Sequence, residues 1–454
     1  LGSPRPAAAD VDELESRVVR LCERWQDQLQ QSLLAEFDEE EGMRLVRLWG
    51  EAFPGAYRDD NDATTAVADI REFERCAGGA MPGVRLYRSG QDEESMLCFR
   101  LYCPDRGATL SDVIPMLENL GMRVHGERPY RLVRADGREF WLHDFTLSNA
   151  LAAGVDVAAV APAVQACFVA VHAGRAENDP FNRLVLGTGF EWREIAILRA
   201  YAHYMKQVRY NFTPQFVAEA LGRHLPLARA LIELFRTRFD PAGDDSLRGR
   251  LEEEVATRIQ GALEAVEQLN DDQVLRAYLA LIRATLRTNW FRRAVDGAAR
   301  EHFSFKFDCA RVPRLPRPVP MYEIWVYSPR VEGVHLRFGR VARGGLRWSD
   351  RLEDFRTEVL GLVKAQQVKN AVIVPVGAKG GFVPKQLRAE AGRDAVQTEG
   401  VGCYEIFISG LLDLTDNVID GATVAPPEVV CHDEPDPYLV VAADKGTATF
   451  SDIA

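Results

Sequence analysis

Apolar residues along this chain recur first at helical spacing, then at strand spacing, and the changes of period divide it. From about residue 10 to 80 the pattern is helical, as in Val18-Val19-Arg20-Leu21 and from Leu29 to Leu34, with a break at Pro54-Gly55. At residue 96 the period changes. Met96-Leu97-Cys98-Phe99-Arg100-Leu101-Tyr102 predicts a strand, and Leu110 to Leu120 a helix stopped by Gly121. Met122 to Val133 and Arg138 to Leu147 then read as two strands joined across the turn signal Ala135-Asp136-Gly137. Val157 to Val171 reads as a helix with a kink point at Pro162.

From 190 to 300 the helical period returns. Thr213 before Pro214 predicts an N-cap with proline at the first helical position. Asp271 or Asp272 is expected to cap the next helix, whose apolar face runs through Val274, Leu275, Tyr278, Leu279, Leu281 and Ile282. Tyr201, Tyr204 and Trp290 read as core or subunit-packing residues. Val312 to Pro320 carries four prolines in nine residues and predicts an extended linker at a domain boundary. Beyond it the pattern is α/β. Tyr322 to Tyr327 and Val334 to Val341 read as strands, and Asp350 with Glu353 as a capping box for a helix reaching Lys369. Ala371 to Val376 is expected to be a buried strand ending in Gly377-Ala378-Lys379-Gly380-Gly381. A helix from Cys403 to Leu414 and a strand from Tyr438 to Ala443 complete the series. The expected architecture is therefore α+β and α/β multidomain. It has a helical region at 1–95, an α+β module at 96–175, a helical domain at 176–311, the linker at 312–320 and an α/β domain at 321–454. The β-α-β-β-α order of the second segment resembles an ACT-type, ferredoxin-like module.

Composition narrows the function. With 47% hydrophobic and 27% charged residues, the chain has the make-up of a globular protein. A formal charge of −12 without a long basic run argues against a nucleic-acid partner. The longest apolar stretch, Ala150 to Ala173, is interrupted by Asp156, Pro162 and Gln165, so a buried helix is expected rather than a membrane span. The chain opens Leu1-Gly2-Ser3-Pro4 with no apolar leader, and a start at Leu is expected of a processed or trimmed chain. Eight scattered cysteines without a C-x-x-C pair predict reduced thiols, no structural zinc and a cytoplasmic location. The acids of His432-Asp433-Glu434-Pro435-Asp436 lie beside prolines and read as a solvated loop rather than a metal site.

Lysine is rationed. Only seven of the 55 basic residues are lysine, and five of them (364, 369, 379, 385, 445) fall in the last 91 residues. An even spread would put about one or two there. Lysine differs from arginine in that burial or neighbouring cations can deprotonate it. Lys379 sits among glycines, which allow close approach of a ligand to backbone. The segment is not a phosphate-binding P-loop, since Ala378 precedes the lysine and Gly380 follows it. Arg343-Gly344-Gly345-Leu346-Arg347 is expected to end a strand, again with cations beside glycines. Lys364 and Lys369 fall near the end of the helix that leads to Lys379. Cations gathered in this way suit a small dicarboxylate, and their mutual repulsion is expected to make Lys379 partly neutral.

The run from Val331 to Lys385, with Ala342 to Arg347, Val368-Lys369-Asn370-Ala371 and Pro375 to Gly381, resembles the substrate-binding domain of glutamate dehydrogenases, especially the large bacterial NAD-dependent class. The similarity extends over nearly all of residues 10–454, more loosely towards the N-terminus. It implies NAD-dependent oxidative deamination of L-glutamate to 2-oxoglutarate and ammonia by a homo-oligomer. It also implies that Arg343 holds the side-chain carboxylate and Lys369 the α-carboxylate, with Lys379 and Asp444 catalytic. Arg347, Lys364, Gly344, Gly345 and Gly380 complete the expected site, Arg347 being an alternative to Arg343 and Lys364 to Lys369. The chain departs from the smaller enzymes at Arg343, where they carry lysine, and in a shorter spacing from Lys369 to Lys379. No G-x-G-x-x-G occurs, because Gly400-Val401-Gly402 lacks the third glycine. The nucleotide-binding domain is therefore expected to be absent from this chain, and the chain alone to be inactive. The alternative function is a non-catalytic regulatory or assembly unit that binds an amino acid or sister subunits.

Overall fold

A computed structural model describes residues 24–79, 81–88, 96–149, 156–369, 377–387, 392–450 and 452–453. The segments 18–21 and 371–376, read above as helix and strand, lie outside the described residues. The chain divides into two compact units, Leu1–Glu118 with Met122–Gln165, and Asn119–Gly121 with Ala166–Ala454.

Among the described residues of the first unit, four helices, α1 (Trp25–Glu36), α2 (Glu39–Trp49), α3 (Gly55–Asp60) and α4 (Ala63–Cys76), precede a sheet. Aspartates start two of them: Asp38 accepts from the Glu41 amide at 2.9 Å, and Asp62 from the Thr65 amide at 2.7 Å. The sheet holds β1 (Gly83–Tyr87), β2 (Met96–Pro104), β3 (Met122–Val133) and β4 (Glu139–Asn149), with α5 (Leu110–Asn119) between β2 and β3. Its order is β1-β2-β4-β3, antiparallel throughout. Strand β1, which the apolar pattern did not announce, extends the expected β-α-β-β order at its start. The turn at Ala135 closes as expected, with the Arg134 amide bonded to the Arg138 carbonyl at 2.9 Å. Trp49 joins helices and hairpin, its ring 5.3 Å from Phe73 and 4.9 Å from Phe140.

Helix α6 (Val157–His172) carries the chain onward. The helical block then comprises α7 (Arg183–Thr188), α8 (Trp192–Gln207), α9 (Pro214–Arg223), α10 (Leu225–Phe239), α11 (Asp245–Leu263) and α12 (Leu269–Ala284). Thr213 caps α9 through the Phe216 amide at 3.2 Å. Asp271 and Asp272 do not cap α12, which starts two residues earlier. Asp271 is instead fully buried, gripped by Arg223 at 2.7 Å and His224 at 3.0 Å.

The sheet of the second unit contains β5 (Thr285–Thr288), β6 (Phe303–Asp308), β7 (Tyr322–Tyr327), β8 (Val331–Arg337), β9 (Arg343–Trp348) and β10 (Ala378–Pro384), with α13 (Phe355–Lys369) between β9 and β10. Helix α14 (Arg393–Leu412), the small hairpin β11 (Asn417–Ile419) and β12 (Ala422–Val424), and the last sheet strand β13 (Val440–Ala443) follow. The order is β13-β9-β10-β8-β7-β6-β5. Strands β13, β9 and β10 are mutually parallel, and the rest of the sheet is antiparallel. Parallel neighbours need crossovers, which α13 and α14 supply. The glycines of the sheet receive them: a Cβ at Gly381 would lie 2.7 Å from Val359 of α13, and one at Gly333 2.4 Å from Phe407 of α14. The helical block packs through Tyr201 and Tyr204, stacked on Phe305 and Phe307 of β6.

Three expectations need correction here. The proline-rich stretch at 312–320 does not separate domains, because it joins β6 and β7, antiparallel neighbours in one sheet. Proline bars ladder hydrogen bonds within the loop, and the flanking strands pair regardless. Helix α13 starts at Phe355 rather than at a capping box. The Asp354 carbonyl accepts from the Thr357 amide at 2.9 Å, while exposed Glu353 pairs with Lys206 at 2.5 Å. Finally, the two glycine-rich segments, expected at strand ends, are themselves strand residues, Arg343 to Arg347 in β9 and Ala378 to Gly381 in β10.

Candidate active site

The register of the parallel strands determines which side chains share a face. Gly381 lies opposite Arg347, and Ala443 opposite Leu346. With side chains alternating along each strand, Arg343, Gly345, Arg347, Lys379 and Gly381 fall on the face that α13 covers. Asp444 follows β13 directly, and its Oδ2 accepts from Lys379 Nζ at 2.6 Å, with both side chains 19% exposed. This contact requires glycine at 345, where a Cβ would lie 2.8 Å from that of Asp444. Gly344 makes room for backbone, since a Cβ there would lie 1.5 Å from the Ala378 carbonyl oxygen. The glycines thus admit protein atoms from neighbouring strands, whereas the sequence reading gave their space to a ligand.

Asp444 is held from several sides. Its Oδ1 accepts from the Lys445 amide at 2.7 Å, and its own amide donates to Thr447 Oγ1 at 2.9 Å. Thr447, fully buried, donates to the Leu346 carbonyl at 2.7 Å and so ties the turn to β9. Gly446, at φ +85, makes the turn possible. Burial raises the Asp444 pKa. The hydrogen bonds from Lys379 and the Lys445 amide, with the charges of Lys379 and Arg347, outweigh this and hold it below the usual carboxylate range. Asp444 is therefore a carboxylate at neutral pH.

The other expected residues are arranged less compactly. Arg347 Nη1 donates to Glu358 Oε1 at 2.8 Å, and Ser349 Oγ to Glu358 Oε2 at 2.6 Å. Arg347 is thus committed to α13. Arg343 is exposed at the start of β9, and Lys364 is exposed on α13. Lys369 ends α13, with its side chain outside the described residues. Gly380 packs on Leu346, 2.5 Å from a would-be Cβ. Among the described residues the direct partner of Lys379 is a carboxylate, rather than the ring of cations expected. Thr447, Ser349 and Glu358 were not anticipated. Thr447 had a signal, lying three residues after Asp444 in a Gly-containing turn, whereas Glu358 meets Arg347 only through the β9–α13 packing.

Nor is the acidic run near 433 a solvated loop. Asp433 accepts from Arg287 at 2.5 Å and Lys306 at 2.6 Å, and Asp436 from Lys306 at 2.6 Å and from Arg337. These acids neutralise three buried cations of β5, β6 and β8, which a local sequence window cannot reveal. Glu177, Asp179 and His203 also converge closely enough to hold a metal ion. However, Arg199 already bonds Asp179 at 2.7 Å, and Lys385 and Tyr327 bond Glu177. The cluster is a neutralised ion-pair network. Gly400-Val401-Gly402 lies inside α14, with Gly400 facing the Trp348 ring, 2.1 Å from a would-be Cβ. It packs helix on strand and forms no dinucleotide cradle.

Comparison with known proteins covers most of the chain. Residues 258–454 match the family described as bacterial NAD-glutamate dehydrogenase, catalytic domain. Residues 176–241 and 32–76 match glutamate dehydrogenase helical motifs 3 and 2, and residues 82–160 its ACT3 domain. An NAD-specific glutamate dehydrogenase of Halomonas elongata is 50% identical over 453 residues, 99% of this chain and 28% of that protein. Proteins of the same name from Pseudomonas aeruginosa and Mycobacterium tuberculosis are 51% identical over 98% of this chain and 45% over 89%, covering 28% and 26% of their own lengths. The chain therefore spans little more than a quarter of the length of these relatives. From its helical motifs and ACT module through its mixed α/β sheet, the chain belongs to the bacterial NAD-glutamate dehydrogenase family.

Proposed function

We propose that this chain supplies the substrate-binding and catalytic residues for reversible NAD-dependent oxidative deamination of L-glutamate to 2-oxoglutarate and ammonia. The observation that carries the reading is the 2.6 Å contact between Lys379 and Asp444 on the face shared with Arg343. Arg343 grips the side-chain carboxylate through its planar fork, and Lys369 (or Lys364) holds the α-carboxylate. Asp444, ionised, takes the proton of the substrate amine. NAD, when bound, would supply the acceptor for the hydride of the substrate's α-carbon. Lys379 then assists attack of water at that carbon, and ammonia departs with the proton Asp444 returns. Groups of this kind contribute about 10²–10⁴-fold each. Gly400 and Gly402 lie inside α14 and form no nucleotide-binding loop, so no step of the protein's own chemistry is assigned through NAD. Buried thiols at Cys76, Cys103, Cys167, Cys309 and Cys403 support a reducing, cytoplasmic setting, and a homo-oligomer is part of the same reading.

Calorimetric titration with 2-oxoglutarate tests the site. Saturable binding is expected for the wild type, with a loss of at least about tenfold in Arg343→Ala. In the full-length protein, Lys379→Ala is expected to retain part of its glutamate binding and to lose nearly all turnover. Near-normal turnover in that variant would overturn the assignment.

A further inference from the structure

At the opposite end of β10 from Lys379 lies a cavity of about 450 Å³, lined by Arg175, Glu177, Trp192, Arg193, Arg300 and Phe303 among others. Gln386, just beyond β10, also lines it. At strand rise it is therefore roughly 20 Å from Lys379, separate from the candidate active site. Its volume suits a small molecule.

The balance of charge in the wall is uneven. Arg199, Arg300 and Arg330 are answered by Asp179 at 2.7 Å, Asp413 at 3.2 Å and Glu399 at 2.7 Å. Glu177 is taken by Lys385 and Tyr327. Arg175 and Arg193 form no ion pair among the described residues. The Arg193 guanidinium donates to the Arg300 carbonyl at 2.8 Å and lies over the rings of Phe303 at 5.3 Å and Trp290 at 5.7 Å. Burial, helped by the charge of Arg293, pushes its pKa down to about 10. The charge of Glu191 offsets this only in part; a half-buried guanidinium without an ion pair is costly, and an arriving anion would reduce that cost.

We infer that this cavity binds a small organic anion, with a carboxylate or phosphate group set between Arg193 and Arg175 and an apolar body against Trp192 and Phe303. Arginine's fork suits such a group. The inference is independent of the chemistry assigned to Lys379.

Phenyl phosphate, which combines both features, is the probe, titrated calorimetrically into the 454-residue chain. Saturable binding is expected, weaker by about tenfold or more in both Arg193→Gln and Arg175→Gln, and stronger than for inorganic phosphate or phenol alone. Absence of saturable binding in the wild type would overturn the inference. So would unchanged affinity in variants that melt like the wild type. Should Arg193→Gln fail to fold because its ring contacts are lost, the exposed Arg175→Gln decides.

Discussion

A methyl group added at Gly344 would sit 1.5 Å from the Ala378 carbonyl oxygen, a collision no side-chain rotation can relieve. Gly344→Ala is therefore expected to destabilise the β9–β10 pairing by about 3 kcal/mol or more, seen as a lower urea midpoint. A wild-type midpoint would mean that the strands are not packed this closely. His335, on the opposite face of β8, sets a pH dependence. Burial, with the charge of Arg337, lowers its pKa to about 3, and its Nε2 has no hydrogen-bond partner among the described residues. The unfolded chain takes up this proton near the ordinary histidine value, about 6.5. Between those values the unfolded state binds more protons, so stability is intact above about pH 6.5 and falls by up to a few kcal/mol towards pH 3. His335→Phe should flatten that part of the stability–pH curve, and an unchanged slope would exclude His335 as its source.

Between elements, the contact most sensitive to substitution is the bond from α13 to β7. Arg356 Nε and Nη2 donate to the two oxygens of Glu323 at 2.7 Å each, with both side chains fully buried. Removing one partner strands the other charge. Glu323→Leu or Arg356→Met alone is expected to cost about 3–5 kcal/mol, and the double change to recover much of that loss. Additive losses in a double-mutant cycle of unfolding free energies would contradict this account. Because α13 also holds Arg347 through Glu358, loosening the helix should reach the candidate site. In the full-length protein, turnover is expected to fall in either single variant.

For the molecule as a whole, the second unit is held by acids kept ionised inside it. Burial alone would raise Glu332, but the charges of Lys385 and His203 hold it down at about 2. Glu177, Asp413 and Asp436 are likewise held below their ordinary values, each against the effect of burial. The unfolded chain protonates these groups near pH 4, so their stabilisation is complete above that range and is lost as pH falls through the folded values. Acid unfolding followed by near-ultraviolet circular dichroism should therefore steepen below about pH 4.5. Lys385→Met, which leaves Glu177 and Glu332 without their shared lysine, should move the midpoint to higher pH. A midpoint unmoved in that variant would show that the network does not hold the fold.

The sequence by itself determined what depends on neighbours a few residues away. The helical and strand periods, the Thr213 cap, the turn at Ala135 and the β-α-β-β order of the first unit follow from local torsions and one-sided burial. The concentration of lysines and the glycines around Arg343 and Lys379 singled out strands that lie side by side in the sheet, for the same reason, since composition is local. Tertiary structure decided what depends on register and packing. Whether the proline-rich stretch separates domains or closes a strand connection turns on the pairing of β6 with β7. Which atoms fill the space at Gly344 and Gly345 turns on the register of three parallel strands. The partners of Asp433 are cations more than a hundred residues away. An ion pair forms where the fold brings opposite charges within a few ångströms, and residue spacing along the chain carries no record of that distance.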